Sequence, residues 1–66
     1  MIKMLLWEIR TSKNITLTEL AAMCGLSKST INNYENSKTY PDLRQMEKLA
    51  KALDCNMTDL FDSEIK

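Results

Sequence analysis

Histidine is absent from this chain of 66 residues, and glycine and proline occur once each. Cysteine occurs only at Cys24 and Cys55, and the aromatic residues are Trp7, Tyr34, Tyr40 and Phe61. Each shortage excludes something. Without histidine, the commonest general base and a frequent zinc ligand are missing. Two cysteines far apart in sequence make neither a disulfide framework nor a paired metal-binding motif, and their apolar neighbours mark them as small buried thiols. No metal or cofactor is therefore expected. A single glycine leaves no glycine-rich phosphate loop, and no nucleophile stands beside a base. So short a chain also encloses too little space for a substrate pocket, so neither an enzyme nor a small-molecule ligand is expected. Long apolar runs are lacking as well. Ile2 to Trp7 is interrupted by Lys3 and followed by Glu8 and Arg10, which reads as a helix start rather than a leader or a membrane span. A cytoplasmic protein is expected. Net charge is the last absence: nine Lys and Arg balance nine Asp and Glu.

What is present is a series of helix starts. Thr16…Glu19, Asp42…Gln45 and Asn56…Asp59 each place a capping side chain three residues before an acid or amide, and Ser27 caps a fourth helix. Asn14-Ile15-Thr16 and Asn56-Met57-Thr58 match the glycosylation pattern but are better explained by these starts. Apolar pairs straddle the caps as hydrophobic staples: Ile15 with Leu20, Leu26 with Ile31, Cys55 with Leu60. Five helices are predicted, over about residues 2–13, 17–23, 28–35, 43–53 and 57–62, in one all-α domain with no strand-like alternation. The expected core takes Ile2, Leu5, Leu6 and Ile9 from the first helix. The fourth supplies Leu43, Met46, Leu49, Ala50 and Leu53, and the fifth Leu60 and Phe61. A domain of this size buries only about 60% of its unfolded surface, so help from a partner subunit is in keeping.

Residues 17–34 carry the functional information. Two short helices meet at a sharp turn, with small Ala21 at the expected crossing and Gly25 where a positive φ is needed. Leu20, Cys24, Leu26, Ile31 and Tyr34 fasten them together and to a core. This is the pattern of a helix-turn-helix, whose second helix enters the DNA major groove. Zero net charge argues against a nucleic-acid partner, but its distribution answers part of the objection. Residues 1–41 hold five basic and three acidic side chains, whereas residues 42–66 hold four and six. The half containing the reading helix is thus basic, and few phosphate contacts with a shallow salt dependence are expected.

With these pieces in order the chain resembles the phage-repressor (Cro and lambda-repressor-like) helix-turn-helix family over roughly residues 5–61. The resemblance rests on Leu6…Ile9-Arg10, Thr16…Glu19-Leu20-Ala21…Gly25-Leu26-Ser27, Ser29-Thr30-Ile31, Tyr34-Glu35-Asn36, Lys38 and Pro41. It continues through Leu49-Ala50-Lys51-Ala52-Leu53 and Asp59-Leu60-Phe61. It implies a compact five-helix domain, with the helix-turn-helix in helices 2 and 3, that binds a double-stranded operator as a homodimer. It also implies that Lys28, Ser29, Asn32 and Asn33 face base edges. Lysine donates to guanine O6 and N7, and asparagine pairs with adenine N6 and N7. Phosphate contacts are implied for Thr16, Leu17 and Ser27 at the helix starts, and for Asn36, Lys38, Thr39 and Tyr40 after the reading helix. A buried structural ion pair is implied between Arg10 and Glu35.

Two departures bear on this reading. Leu17 stands where the family often has glutamine, which removes one phosphate contact. Ser37 stands where the family favours glycine, so the loop is expected to close differently. By the same resemblance Met57, Phe61 and Ile65 form the expected dimer surface. Met4 and Trp7 fall outside the family's pattern: either the fourth or fifth helix half-covers the tryptophan, or the two residues form a patch for a protein partner. An antitoxin or adaptor acting through such a partner is the alternative function. Only Asp62 to Lys66 lies beyond the last predicted helix to serve as a toxin-binding extension.

Overall fold

The capping residues do what their spacing predicts. In a computed structural model describing residues 1–66, Thr16 Oγ1 accepts the Glu19 N–H (3.1 Å) and Glu19 Oε1 accepts the Thr16 N–H (2.9 Å). This reciprocal pair satisfies two donors that the helix itself cannot pair. It starts a helix over Leu17–Cys24, which stops at Gly25 with φ 66°. A Cβ there would meet nothing within 4 Å, so backbone conformation and not space requires the glycine. Ser27 Oγ accepts the Thr30 N–H (3.1 Å) and starts the next helix, Lys28–Glu35. Asp42 Oδ1 accepts the Gln45 N–H (2.9 Å) and starts Leu43–Leu53, which ends at Asp54 in the left-handed region. The reciprocal half of that last cap does not form, and Gln45 Oε1 is buried without a partner.

The two ends of the chain depart from the all-α expectation. The first helix spans Leu6–Ser12 rather than starting near residue 2. Ahead of it, Lys3–Met4 form a strand, β1, that pairs antiparallel with Phe61–Asp62, β2, with Lys3 opposite Asp62 and Met4 opposite Phe61. The predicted fifth helix is a single 3₁₀ turn, Met57–Leu60, started by the Asn56 N–H donating to Asp59 Oδ2 (2.9 Å). The chain therefore folds as four α-helices, hereafter α1 (Leu6–Ser12), α2 (Leu17–Cys24), α3 (Lys28–Glu35) and α4 (Leu43–Leu53), with a 3₁₀ turn and a two-stranded sheet.

Residues 1–5 contain no Ser, Thr, Asp or Asn to cap an earlier helix start. Their amides find acceptors across the molecule instead, as when the Leu5 N–H donates to the Leu60 carbonyl (2.8 Å). The consequence for packing is an exchange of side chains: Ile2 stays 47% exposed, while Met4 is 3% exposed and enters the core. Leu43, expected inside, lies at the surface.

Leu6, Leu20, Ile31, Leu49, Leu53 and Leu60 are fully buried, so every α-helix and the 3₁₀ turn contribute to one core. Truncating any of them to alanine costs about 2–5 kcal/mol, a large share of the stability of so small a domain. Ala21 is buried where α2 packs on α3, and α4 covers α2 and the 3₁₀ turn. Both thiols are free, and burial pushes each upward from its ordinary value. The sheet stops at two strands because its outer edges are occupied: Ser37 Oγ accepts the Met4 N–H (3.2 Å), and Lys66 Nζ donates to the Phe61 carbonyl (2.7 Å).

Candidate nucleic-acid interface

The reading helix is oriented by what it buries. Ile31 and Tyr34, three residues apart on α3, are buried against the core. The opposite face carries Lys28, Ser29 and Asn32, all exposed, with half-buried Asn33 beside them. The spacings 28/32 and 29/33 put these four on adjoining rows of one helix face. The side-chain amide of Asn33 makes no hydrogen bond within the protein, whereas Asn32 Oδ1 accepts a long bond from Asn36 Nδ2 (3.4 Å). Structure and sequence agree in bringing the four candidate base-reading residues together.

Around this face lie two helix N-termini. In α2 the Glu19 and Leu20 amides return to Thr16, which leaves the Leu17 and Thr18 amides without an acceptor in the protein. In α3 the Thr30 and Ile31 amides return to Ser27, leaving those of Lys28 and Ser29 free. Such amides, with the positive end of the helix dipole behind them, suit a phosphate. Thr16 Oγ1 accepts the Glu19 N–H and keeps its own proton to donate. Ser27 Oγ accepts the Thr30 N–H and shares a hydrogen bond with the Thr30 hydroxyl, and Leu17 packs its side chain against the core. At Leu17 a phosphate would meet the free amides of the main chain, whereas at Thr16 the amide is given to Glu19 and only the hydroxyl proton is left to donate.

The loop after α3 is arranged the other way round. The Asn36, Ser37 and Lys38 amides donate to the carbonyls of Asn32 (3.0 Å), Tyr34 (3.1 Å) and Asn33 (2.9 Å), and the Thr39 amide makes a long bond to Asn33 (3.5 Å). Its main chain is spent on α3, so the groups left for a phosphate are the exposed side chains of Asn36, Lys38 and Thr39. The Tyr40 hydroxyl donates to the Ile2 carbonyl (3.1 Å) and has its proton engaged there.

Ser37 corrects the expectation of a different closure: it adopts the left-handed conformation that glycine favours, with φ 56°. That conformation costs roughly 1–2 kcal/mol for an L-residue. The hydrogen bond from the Met4 N–H returns about 0.5–1.5 kcal/mol.

Arg10 and Glu35 form the expected ion pair. Arg10 Nε and Nη2 donate to the two carboxylate oxygens of Glu35, the second at 3.1 Å, and Nη1 donates to the Ile15 carbonyl (2.9 Å). Both side chains are nearly buried, so the pair clamps α1 to the last turn of α3.

Of the suggested partner patch, Met4 is withdrawn into the core by β1, and only Trp7 remains, 52% exposed. It lines an open groove of about 380 Å³ with Lys3, Glu8 and Asn36. The dimer candidates are mixed: Ile65 is 94% exposed, while Met57 and Phe61 are half-buried against the core. A second groove, not foreseen from the sequence, is lined without a charged residue by Ile2, Tyr40, Pro41, Leu43 and Phe61 over buried Met4 and Met46. Its signal was diluted because its walls come from both ends and the middle of the chain.

A helix-turn-helix family profile matches residues 8–60. The chain belongs to the Cro and lambda-repressor-like helix-turn-helix family. It is 32% identical over 60 residues to an uncharacterised SPbeta prophage-derived HTH-type transcriptional regulator, YopS of Bacillus subtilis, covering 89% of this chain and 81% of that one. Over 59 residues it is 29% identical to the HTH-type transcriptional activator BcrR of Enterococcus faecalis, of which it spans only 29%.

Two crystal structures share the fold. One is the restriction-modification controller protein C.AhdI of Aeromonas hydrophila, with TM-score 0.77, 33% identity and 82% of each chain covered. The other, a Bacteroides fragilis protein thought to bind DNA, has TM-score 0.88 and 26% identity, covering 94% of this chain and all of that one. The chain is thus a non-enzymatic, DNA-binding transcriptional regulator of the helix-turn-helix type. No helix of the protein is long and apolar enough to cross a membrane.

Proposed function

We propose that this helix-turn-helix regulator is a repressor that occupies a specific operator as a homodimer. Lys28, Ser29, Asn32 and Asn33 read base edges, and the free amides at the starts of α2 and α3, with Asn36, Lys38 and Thr39, hold the backbone. The observation that carries this is the outward face of α3. It presents hydrogen-bonding side chains that the protein largely leaves unpaired, on a helix whose other face is locked by Ile31 and Tyr34. Each good base contact is worth about 1–3 kcal/mol of discrimination. Pairing is supported by Ile65 and by the uncharged groove that Phe61 shares with Ile2 and Leu43. A two-fold interface sets each patch against itself, and an uncharged patch meets its own copy without repulsion.

The test is a mobility shift and footprint on the DNA upstream of the protein's own gene, with excess competitor at moderate salt. Two protected half-sites about 34 Å apart are expected. Binding erased by any competitor would overturn the reading. The adaptor or antitoxin alternative is favoured by one observation, the exposed Trp7 beside its groove. Under it, retention of a protein partner would depend on Trp7 and DNA binding would lack sequence preference.

A further inference from the structure

The loop between α3 and α4 is tied down from two sides. On the inner side, its amides return to α3: Ser37 to the Tyr34 carbonyl, Lys38 and Thr39 to that of Asn33. On the outer side it is tied once to β1, at Met4, and once to Ile2, the residue just before β1. The Met4 N–H donates to Ser37 Oγ (3.2 Å), and the Tyr40 hydroxyl donates to the Ile2 carbonyl (3.1 Å). Lys38 and Thr39 lie between these two ties, and Asn36 lies immediately before the first. β1 is itself fixed, by its pairing with β2 and by burial of Met4 in the core.

The residue at position 37 sharpens the point. Its φ of 56° is one that glycine adopts without strain. What serine has and glycine lacks is the hydroxyl, and that hydroxyl is committed to Met4. A strained residue thus sits where its side chain joins the loop to a sheet whose two strands come from opposite ends of the chain.

We propose that β1, together with Ile2 just before it, is a positioning element for the DNA-facing loop. Ser37 and Tyr40 are positioning residues that hold Asn36, Lys38 and Thr39 in the arrangement in which they meet phosphates. This rests on the reading of that loop as a phosphate contact. Neither residue needs to touch DNA. Their effect runs through the loop, so it is read in the number of phosphates engaged and not in base preference. Removing the ties leaves α3 anchored by Ile31, Tyr34 and the Arg10–Glu35 pair, so base reading persists while the grip beside it loosens.

The experiment compares the wild-type chain with Ser37→Gly, Tyr40→Phe and Lys38→Ala on a duplex selected by the wild-type protein from a random-sequence pool. Affinity is measured across a salt series, with melting temperature and amide hydrogen exchange alongside. Ser37→Gly relieves the left-handed strain as it removes the tie, so its melting temperature stays near that of the wild type. The Met4, Lys38 and Thr39 amides exchange faster, and the salt slope flattens by about one, as it does when the protein engages one phosphate fewer. That corresponds to roughly a fourfold smaller loss of affinity between 50 and 200 mM salt. Tyr40→Phe moves in the same direction by less, and the ranking of mutated sites is unchanged for both.

A flattened slope for Lys38→Ala with a wild-type slope for both Ser37→Gly and Tyr40→Phe overturns the positioning role alone. A merely structural tie would give that result, with or without a change in melting temperature. A wild-type slope for Lys38→Ala overturns the phosphate reading of the loop, and the proposal with it.

Discussion

At the scale of single residues, two kinds of polar side chain sit close together and do different work. Asn33 offers an amide with no partner in the protein, and Lys38 is an exposed cation on the adjoining loop. Asn33→Ala is expected to weaken binding at particular base pairs by about 1–3 kcal/mol and to relax preference there. Lys38→Ala is expected to weaken all sites nearly alike. Competition binding against a panel of single-base variants separates the two, and an equal loss on every variant for Asn33→Ala removes its base-reading role.

Arg10 works through stability. In Arg10→Met the nearly buried Glu35 carboxylate loses its partner, at a cost of about 3–5 kcal/mol. A domain this size has about 3–10 kcal/mol in total, so thermal melting should be lowered steeply. Arg10→Met combined with Glu35→Leu removes both charges and should recover most of the loss. If the single variant melts like the wild type, the clamp contributes nothing. The outward place of Asn33 was legible in the sequence because Ile31 and Tyr34 fix the inward face of the same helix, whereas Lys38 and the Arg10–Glu35 pair were legible only through the family resemblance. Ser37 was legible only as a departure, since the acceptor role of its hydroxyl depends on Met4, which is distant in sequence.

At the scale of elements, α2 shows how a local cap sets a pH response. The Thr16 N–H, and secondarily the Thr16 hydroxyl, hold the Glu19 carboxyl below its ordinary value of 4.5. A carboxyl lowered in the folded state contributes stability that is complete above its ordinary value and is lost as pH falls through the folded value. Denaturant midpoints should therefore fall as pH drops below about 4.5, and Glu19→Gln should flatten that part of the profile. An identical profile for the variant would show that the cap does not couple to folding.

The element boundaries that the sequence predicted well, α2, α3 and α4, are those with a side-chain cap at the start. α1 has none, and the structure starts it later than predicted, at Leu6. The predicted fifth helix has its Asn56–Asp59 start but gives way after one 3₁₀ turn to β2. A strand of two residues has no period to detect, and its partner lies at the other end of the chain.

At the scale of the whole molecule, the question is how two copies would meet. Leu43 and Ile65 are 78% and 94% exposed, so replacing either costs the monomer little. Leu43→Glu and Ile65→Glu are each expected to leave the melting temperature of the monomer unchanged and to weaken dimerisation about tenfold or more, since each buries a charge in an apolar contact. Sedimentation equilibrium at several concentrations measures this. A wild-type association constant for both variants would move the interface elsewhere.

The sequence alone determined the helix-turn-helix, its caps, the glycine turn, the inward and outward faces of α3 and the Arg10–Glu35 pair. Each of these follows from short-range hydrogen bonding, helical periodicity or a family pattern carried by spacing. Only the tertiary structure decided the β1–β2 pairing, the exchange of Ile2 for Met4 in the core, the uncharged groove around Leu43, and the ties from Ser37 to the first strand and from Tyr40 to the residue before it. Those join residues far apart along the chain, and such contacts are settled by which amides and apolar surfaces remain unsatisfied once the helices have packed.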